Sequence, residues 1–270
     1  MELLLFQLDA FASRVFGGNP AAVVPLERWL DDATLQAIAA ENALSETAFL
    51  VGGDGRYRIR WMTPTSEVDL CGHATLAAAW VVFHRLEPGR GEVSFASNSG
   101  PLRVVAEPHS EWPDRSPGDR LALDFPSRPP LPADASRAAV AQALGREPLA
   151  VLASRDYLAL FEGEGDVRAL RPDMARIAAL DRMAVIATAR GSDCDFVSRF
   201  FAPSVGVPED PVTGSAHCTL VPFWAARLGK TRLFARQLSE RGGELWCELR
   251  GERVAIAGQA VLYLEGTIEL

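Results

Sequence analysis

Arg60-Trp61-Met62-Thr63-Pro64, followed after a short polar loop by Gly72-His73-Ala74-Thr75-Leu76, recurs as Arg199-Phe200-Phe201-Ala202-Pro203 followed by Gly214-Ser215-Ala216. Each copy runs arginine, aromatic, apolar, small residue, proline, then a loop and a glycine that opens a helix. The offset is 199 − 60 = 139 in the strands and 214 − 72 = 142 at the glycines, so only the loop has grown. Strand–loop–helix units are common, but a five-residue match followed by a matched glycine-led helix favours duplication over chance. Both helices are apolar all round, with Ala77-Ala78-Ala79-Trp80-Val81-Val82-Phe83 in one and Leu220-Val221-Pro222-Phe223-Trp224-Ala225-Ala226 in the other. A helix apolar on every face must be buried on every face. Each is therefore expected to be wrapped by the strands of its own half.

The rest of the chain suits that reading. Its 270 residues suffice for two domains of ordinary size, and 48% hydrophobic with 23% charged residues is the composition of a folded globular protein. Short β-branched runs over 2–8, 21–25, 47–51, 56–62, 92–96, 102–107 and 120–125 are read as strands. Further strands are expected over 157–161, 183–188, 195–201, 232–238, 244–250, 253–257 and 261–265. Helices are expected over 31–40, 73–86, 134–144, 171–180 and 215–228, the last capped by Gly229. Gly242-Gly243 suits a hairpin turn. Pro108–Asp119 and Pro126–Ala135, rich in Pro, Ser, Asp and Arg, mark the expected boundary between halves. The domains are thus expected over 1–118 and 119–270, with the last strand able to return to the N-terminal half.

Composition also excludes some functions. A net charge of −8 argues against a general nucleic-acid binder, because phosphate contacts need clustered Lys and Arg. Four scattered cysteines, Cys71, Cys194, Cys218 and Cys247, show no CxxC pairing and fit a reducing compartment. The apolar start Leu3-Leu4-Leu5-Phe6 stops at Asp9 without a basic leader, and no run is long enough to span a membrane, so a cytoplasmic location is expected.

At the two helix entrances small residues let backbone N–H groups approach a ligand, and first-turn N–H groups lack intrahelical partners. Two such N-termini facing each other would form an anion site suited to a carboxylate. No Walker A or GxGxxG sequence is present, so nucleotide binding is not supported. His73 sits at one entrance, where structural and functional readings weigh about equally. Asp210 precedes the other and would serve equally as a cap. Glu46, in Leu44-Ser45-Glu46-Thr47, stands where a strand begins, and periodicity alone does not select it. The four histidines are too dispersed to propose a metal site.

The motifs together resemble the PhzF-type phenazine-biosynthesis isomerase family. The matching segments are Asp9-Ala10-Phe11, Phe16-Gly17-Gly18-Asn19-Pro20-Ala21, Leu44-Ser45-Glu46-Thr47, Thr63-Pro64, Cys71-Gly72-His73-Ala74-Thr75 and Glu209-Asp210-Pro211-Val212-Thr213-Gly214-Ser215-Ala216. The resemblance spans nearly the whole chain and implies an α+β, diaminopimelate-epimerase-like fold. In that fold two pseudo-symmetric domains each form a β-barrel-like sheet around a central apolar helix. It implies a cofactor-independent isomerase that moves a proton within a small carboxylate-bearing substrate, as in the isomerisation of trans-2,3-dihydro-3-hydroxyanthranilate. By resemblance, the catalytic residues are Glu46 as general acid/base, His73 and Asp210; Gly72, Gly214, Ser215 and Ala216 line the substrate-carboxylate site. Partial burial is expected to raise the proton affinity of Glu46. No metal or organic cofactor is implied, and the protein is expected to be a homodimer. Related epimerases use two cysteines; here Cys71 occupies one entrance, but Val212-Thr213-Gly214 at the other has none. Cys71 is therefore expected to be a small packing residue. The alternatives are an amino-acid racemase or epimerase on the same fold, and a non-catalytic small-molecule binding or interaction protein.

Overall fold

The computed structural model describes residues 1–107 and 120–270. The chain divides into unit 1, Met1–Asp124 with Ala257–Leu270, and unit 2, Phe125–Ile256. The boundary expected between 118 and 119 lies outside the described residues.

Unit 1 contains strands β1 (Glu2–Ala10), β2 (Asn19–Leu26), β3 (Glu46–Gly53), β4 (Arg56–Met62), β5 (Glu67–Val68), β6 (Glu92–Ser97) and β7 (Gly100–Glu107). Its helices are α1 (Asp32–Asn42) and α2 (Gly72–Val81). Strand β8 (Arg120–Pro126) leads into unit 2. There β9 (Leu131–Pro132), α3 (Arg137–Leu144), β10 (Ala150–Ala153), β11 (Tyr157–Leu160), α4 (Glu164–Ala169) and α5 (Met174–Ala178) come first. Then follow β12 (Val185–Arg190), β13 (Phe196–Ala202), β14 (Val207–Asp210), α6 (Gly214–Leu228), β15 (Arg232–Gln237) and β16 (Gly243–Arg250). Strand β17 (Arg253–Gly258) leads back, and β18 (Ala260–Glu269) closes unit 1 by pairing antiparallel with β1 from Glu2↔Glu269 to Ala10↔Ala260.

Within each unit the strands pair in one pattern. In unit 1, β2 runs parallel to β3, β3 antiparallel to β4, and β4 antiparallel to β5 but parallel to β6, which forms a hairpin with β7. In unit 2, β11 runs parallel to β12, β12 antiparallel to β13, and β13 antiparallel to β14 but parallel to β15, which forms a hairpin with β16. The offsets read from the sequence hold in the ladders: Trp61↔Val68 in one unit corresponds to Phe200↔Asp210 in the other, 139 and 142 residues on.

The apolar helices sit as their sequences require. Every residue of α2 except Trp80 is buried, and the helix contacts β1, β2, β3 and β18 of its own unit. In α6, Gly214, Ala216–Pro222, Trp224 and Ala225 are buried against its own unit's strands, with Phe196 and Trp224 stacked at 5.8 Å. A second layer in unit 1 joins Leu35 and Ile38 of α1 to Val24, Phe49 and Met62. Asp31 caps α1 by accepting the Thr34 N–H at 3.0 Å.

Some expectations need correction. The helix expected over 73–86 is α-helical only to Val81 and continues as a π-helical turn over Val82–Leu86, with His84 stacked on Trp80 at 4.2 Å. The segment 171–180 is helical only at α5, because Pro172 and the capping Asp173 delay its start. The short pieces β5, β9, β10, β14 and α4 have too few residues for a periodic signal. Gly229 ends α6 at φ 65°, and Gly242 turns the β15–β16 hairpin at φ 67°.

Candidate active site

Glu46 is placed by the end of α1. Ala43 closes that helix in the left-handed region at φ 50°, its N–H returning to Ala39 O at 3.2 Å, and β3 begins three residues later. Side-chain bonds hold the turn between them: Ser45 donates to Asn19 Oδ1 at 3.3 Å and Asn42 to Thr47 Oγ1 at 3.0 Å. Asn19 and Thr47 are buried. Glu46 itself is half-buried as the first residue of β3, opposite Ala21 of β2.

His73 and Gly72 come from the first turn of α2. Cys71 is the N-cap and makes no capping side-chain bond; its carbonyl accepts the Thr75 N–H at 3.1 Å. Three groups meet here. His73 Nε2 lies 3.0 Å from Glu46 Oε2, and Cys71 Sγ lies 3.5 Å from His73 Nδ1 and 3.9 Å from Nε2. The Glu46–His73 contact is an ion pair in distance, and Glu46 Oε2 is buried without a well-angled hydrogen bond.

The electrostatics follow from this crowding. Burial disfavours a charge on Glu46, yet the imidazolium of His73 outweighs it and holds the carboxyl below the usual range. Burial likewise opposes charge on His73, but Cys71 and Glu46 raise it well above its usual value. The pair is therefore ionised. This corrects the expectation that burial would raise the proton affinity of Glu46: the neighbouring cation wins. Burial and the adjacent carboxylate push the Cys71 thiol up to about 11, so it is neutral. Cys71 is buried as expected, but it contacts His73 and is not a mere packing residue.

In unit 2, Asp210, Gly214, Ser215 and Ala216 gather at the entrance of α6. Half-buried Asp210 ends β14 and accepts the hydroxyl of Thr213, the N-cap of α6. Gln237 ties the entrance together, its side chain accepting from Thr213 N at 2.9 Å and donating to Asp210 O at 2.8 Å. Gly214 and Ala216 are buried and Ser215 half-buried. His217 bonds Thr213 O through Nδ1 at 2.8 Å, and burial pushes it down to about 4, leaving a neutral ring.

Comparing the two ladders shows why one unit carries the titratable groups. Thr47 opposes Met62 and Val185 opposes Phe201, which makes Glu46 equivalent to Ala184. The loop offset makes Cys71 equivalent to Thr213 and His73 to Ser215. A carboxylate, thiol and imidazole in unit 1 thus correspond to a methyl and two hydroxyls in unit 2.

The family model described as phenazine biosynthesis-like protein, PhzC-PhzF, matches residues 8–266. The chain belongs to the PhzC-PhzF family. Among relatives, an uncharacterized isomerase of Pseudomonas aeruginosa is 54% identical over 270 residues, covering all of both chains. An uncharacterized isomerase of Halalkalibacterium halodurans is 41% identical over 275 residues, again covering both chains fully. The crystal structure of a PhzF-family protein from Enterococcus faecalis superimposes with a TM-score of 0.93 at 43% identity, covering both chains fully. The PhzC-PhzF chain thus has the two-domain α+β fold that its motifs implied. No helix among its described residues is long and apolar enough to cross a membrane.

Proposed function

We propose that this PhzC-PhzF protein is an isomerase that moves a proton within a small carboxylate-bearing substrate, with Glu46 as the general acid/base. The observation that carries the reading is Glu46 Oε2: buried, 3.0 Å from His73 Nε2, and without a well-angled hydrogen bond. An orphaned buried acceptor calls for an explanation, and a proton taken from substrate is one. In this form Glu46 is already the base. It takes a proton from a substrate carbon, and its proton affinity rises once His73 turns its charge toward the substrate. The same carboxyl then returns the proton to another carbon, so the step balances with no redox partner. The names of the relatives as isomerases support this reaction class.

The bare first-turn N–H groups at Gly72 suit the substrate carboxylate. Gly214, Ser215 and Ala216 offer the same kind of groups in unit 2, and Asp210 fixes that turn through Thr213. Removal of Glu46 tests the reading. Amino-hydroxy acids, cyclic and acyclic, are screened for deuterium uptake from D2O; Glu46→Gln should lower uptake by about 10²- to 10⁴-fold. Full retention of uptake in Glu46→Gln would end the proposal.

A thiol-based racemase or epimerase is the second reading, favoured only by the Cys71–His73 contact. The neutral thiol and Thr213 at the matching position in unit 2 weigh against it. Rapid inactivation by a thiol reagent, blocked by substrate and absent in Cys71→Ser, would favour it.

A further inference from the structure

The contact set around His73 has the composition of a metal site as well as of an acid/base site. We propose that Glu46, Cys71 and His73 bind a thiophilic divalent cation of the zinc type, and that the bound ion blocks proton transfer by Glu46. Binding itself is independent of the function proposed above; only the block rests on it.

Glu46, Cys71 and His73 each offer one ligand atom, and these atoms all lie within 4.8 Å of one another. Zinc takes N and O ligands at about 2.0–2.1 Å and thiolate at about 2.3 Å, so tetrahedral N···O and S···N edges are roughly 3.3 and 3.5 Å. The corresponding distances here are 3.0 Å for Nε2 to Oε2 and 3.9 Å for Sγ to Nε2. These two edges need only a few tenths of an ångström of adjustment. One sulfur, one nitrogen and one oxygen suit zinc and not a hard cation such as magnesium, which prefers oxygen alone. Three protein ligands leave a fourth position open, as in zinc sites that hold an exchangeable water. The Glu46 side chain is 16% exposed, which gives an ion a way in.

The orphaned Oε2 is the second reason. It is a buried oxygen whose contact with His73 Nε2 at 3.0 Å is not a well-angled hydrogen bond, so an ion would displace an ion-pair contact there and not a formed hydrogen bond. The other thiols and imidazoles are otherwise engaged. Cys194 donates to Phe196 O, Cys218 and Cys247 are buried, His84 is stacked on Trp80, and His217 bonds Thr213 O. Binding releases the Cys71 thiol proton and the Nε2 proton of His73 to solvent, and metal–ligand bonds replace the ion-pair contact.

Cobalt(II) added to chelator-washed protein reads the site directly. Thiolate-to-cobalt charge transfer in the near ultraviolet, with visible bands of a tetrahedral ion, should appear and be displaced by Zn2+. Both should vanish in Cys71→Ser and Cys71→Ala, with thermal melts confirming the fold, and persist in Cys194→Ser. In Glu46→Gln, zinc affinity should fall by more than the roughly tenfold to hundredfold that outer-sphere changes cost. Absence of the bands in the wild type overturns the proposal, as does their survival in folded Cys71→Ser or their loss in Cys194→Ser. Zn2+ should also stop Glu46-dependent deuterium uptake, with recovery on chelation. Cobalt bands without any such uptake would fault the proposed function alone; uptake without cobalt bands would fault this inference alone.

Discussion

An imidazolium in the first turn of a helix stands against the positive end of the helix dipole. His73 keeps its charge there because Glu46 and Cys71 surround it, so removing the carboxylate should return control to burial and the dipole. In Glu46→Gln the His73 pKa should fall from its raised value, which a histidine-ring NMR titration in the presence of chelator will show; an unchanged value would remove the ion pair from the account. The same pair makes stability depend on pH. Glu46, held below 4.5, stabilises fully above that value, and this is lost as pH falls through its folded pKa. His73, held above 6.5, stabilises fully below that value, and this is lost as pH rises through its folded pKa. The wild type's advantage in melting temperature over Glu46→Gln should therefore be largest between about pH 4.5 and 6.5 and shrink on both sides. Cys71, raised to about 11, should react slowly with neutral thiol reagents near pH 8, with rates climbing toward pH 11. At this scale the sequence was least legible. Glu46 stood out only through a family motif, and the contact of Cys71 with His73 depends on side-chain directions at a helix entrance that spacing does not convey.

The arginine that opens each repeat has a defined task. Arg60 grips Glu67 of β5 through bonds of 2.8 and 2.6 Å, and Arg199 grips Glu209 of β14 through bonds of 2.7 and 2.8 Å. Each fork pins the short strand that follows its β-strand, upstream of the loop into α2 or α6. Arg199 also donates to the carbonyls of Val167 and Leu170 at 3.2 and 3.1 Å, closing the end of α4, and is the more buried of the two. Arg60 also bonds the exposed Asp32 at 2.8 Å. Arg199→Ala should cost about 2 kcal/mol in urea unfolding and Arg60→Ala about 1 kcal/mol; equal costs would mean that the α4 carbonyls contribute no more than that exposed pair. Most element positions were legible because long β-branched runs and all-apolar helices leave few alternatives. The partners of the repeated arginines were not, because Glu67 and Glu209 look like any other surface carboxylates until the ladders are known.

Duplication, read from eight paired positions, proved to describe the connectivity of both units. What no repeat could convey is the asymmetry of their ends, since β18 completes the first unit and unit 2 is inserted before it. Ending the chain at Gln259 should expose to hydrogen exchange the β1 amides that bond β18, above all over Glu2–Leu5 where β1 has no pairing with β2, while those of β12 and β13 stay protected. Protected β1 amides in that truncation would show that β18 is dispensable.

That last pairing has a consequence during synthesis. Strand β1 leaves the ribosome before its neighbour at residues 260–269, which is made more than two hundred residues later. Throughout that interval the nascent chain carries an uncovered strand edge, a known template for aggregation. The protein's vulnerable period is thus the time from the emergence of β1 to the emergence of β18, and slow translation between them would lengthen it.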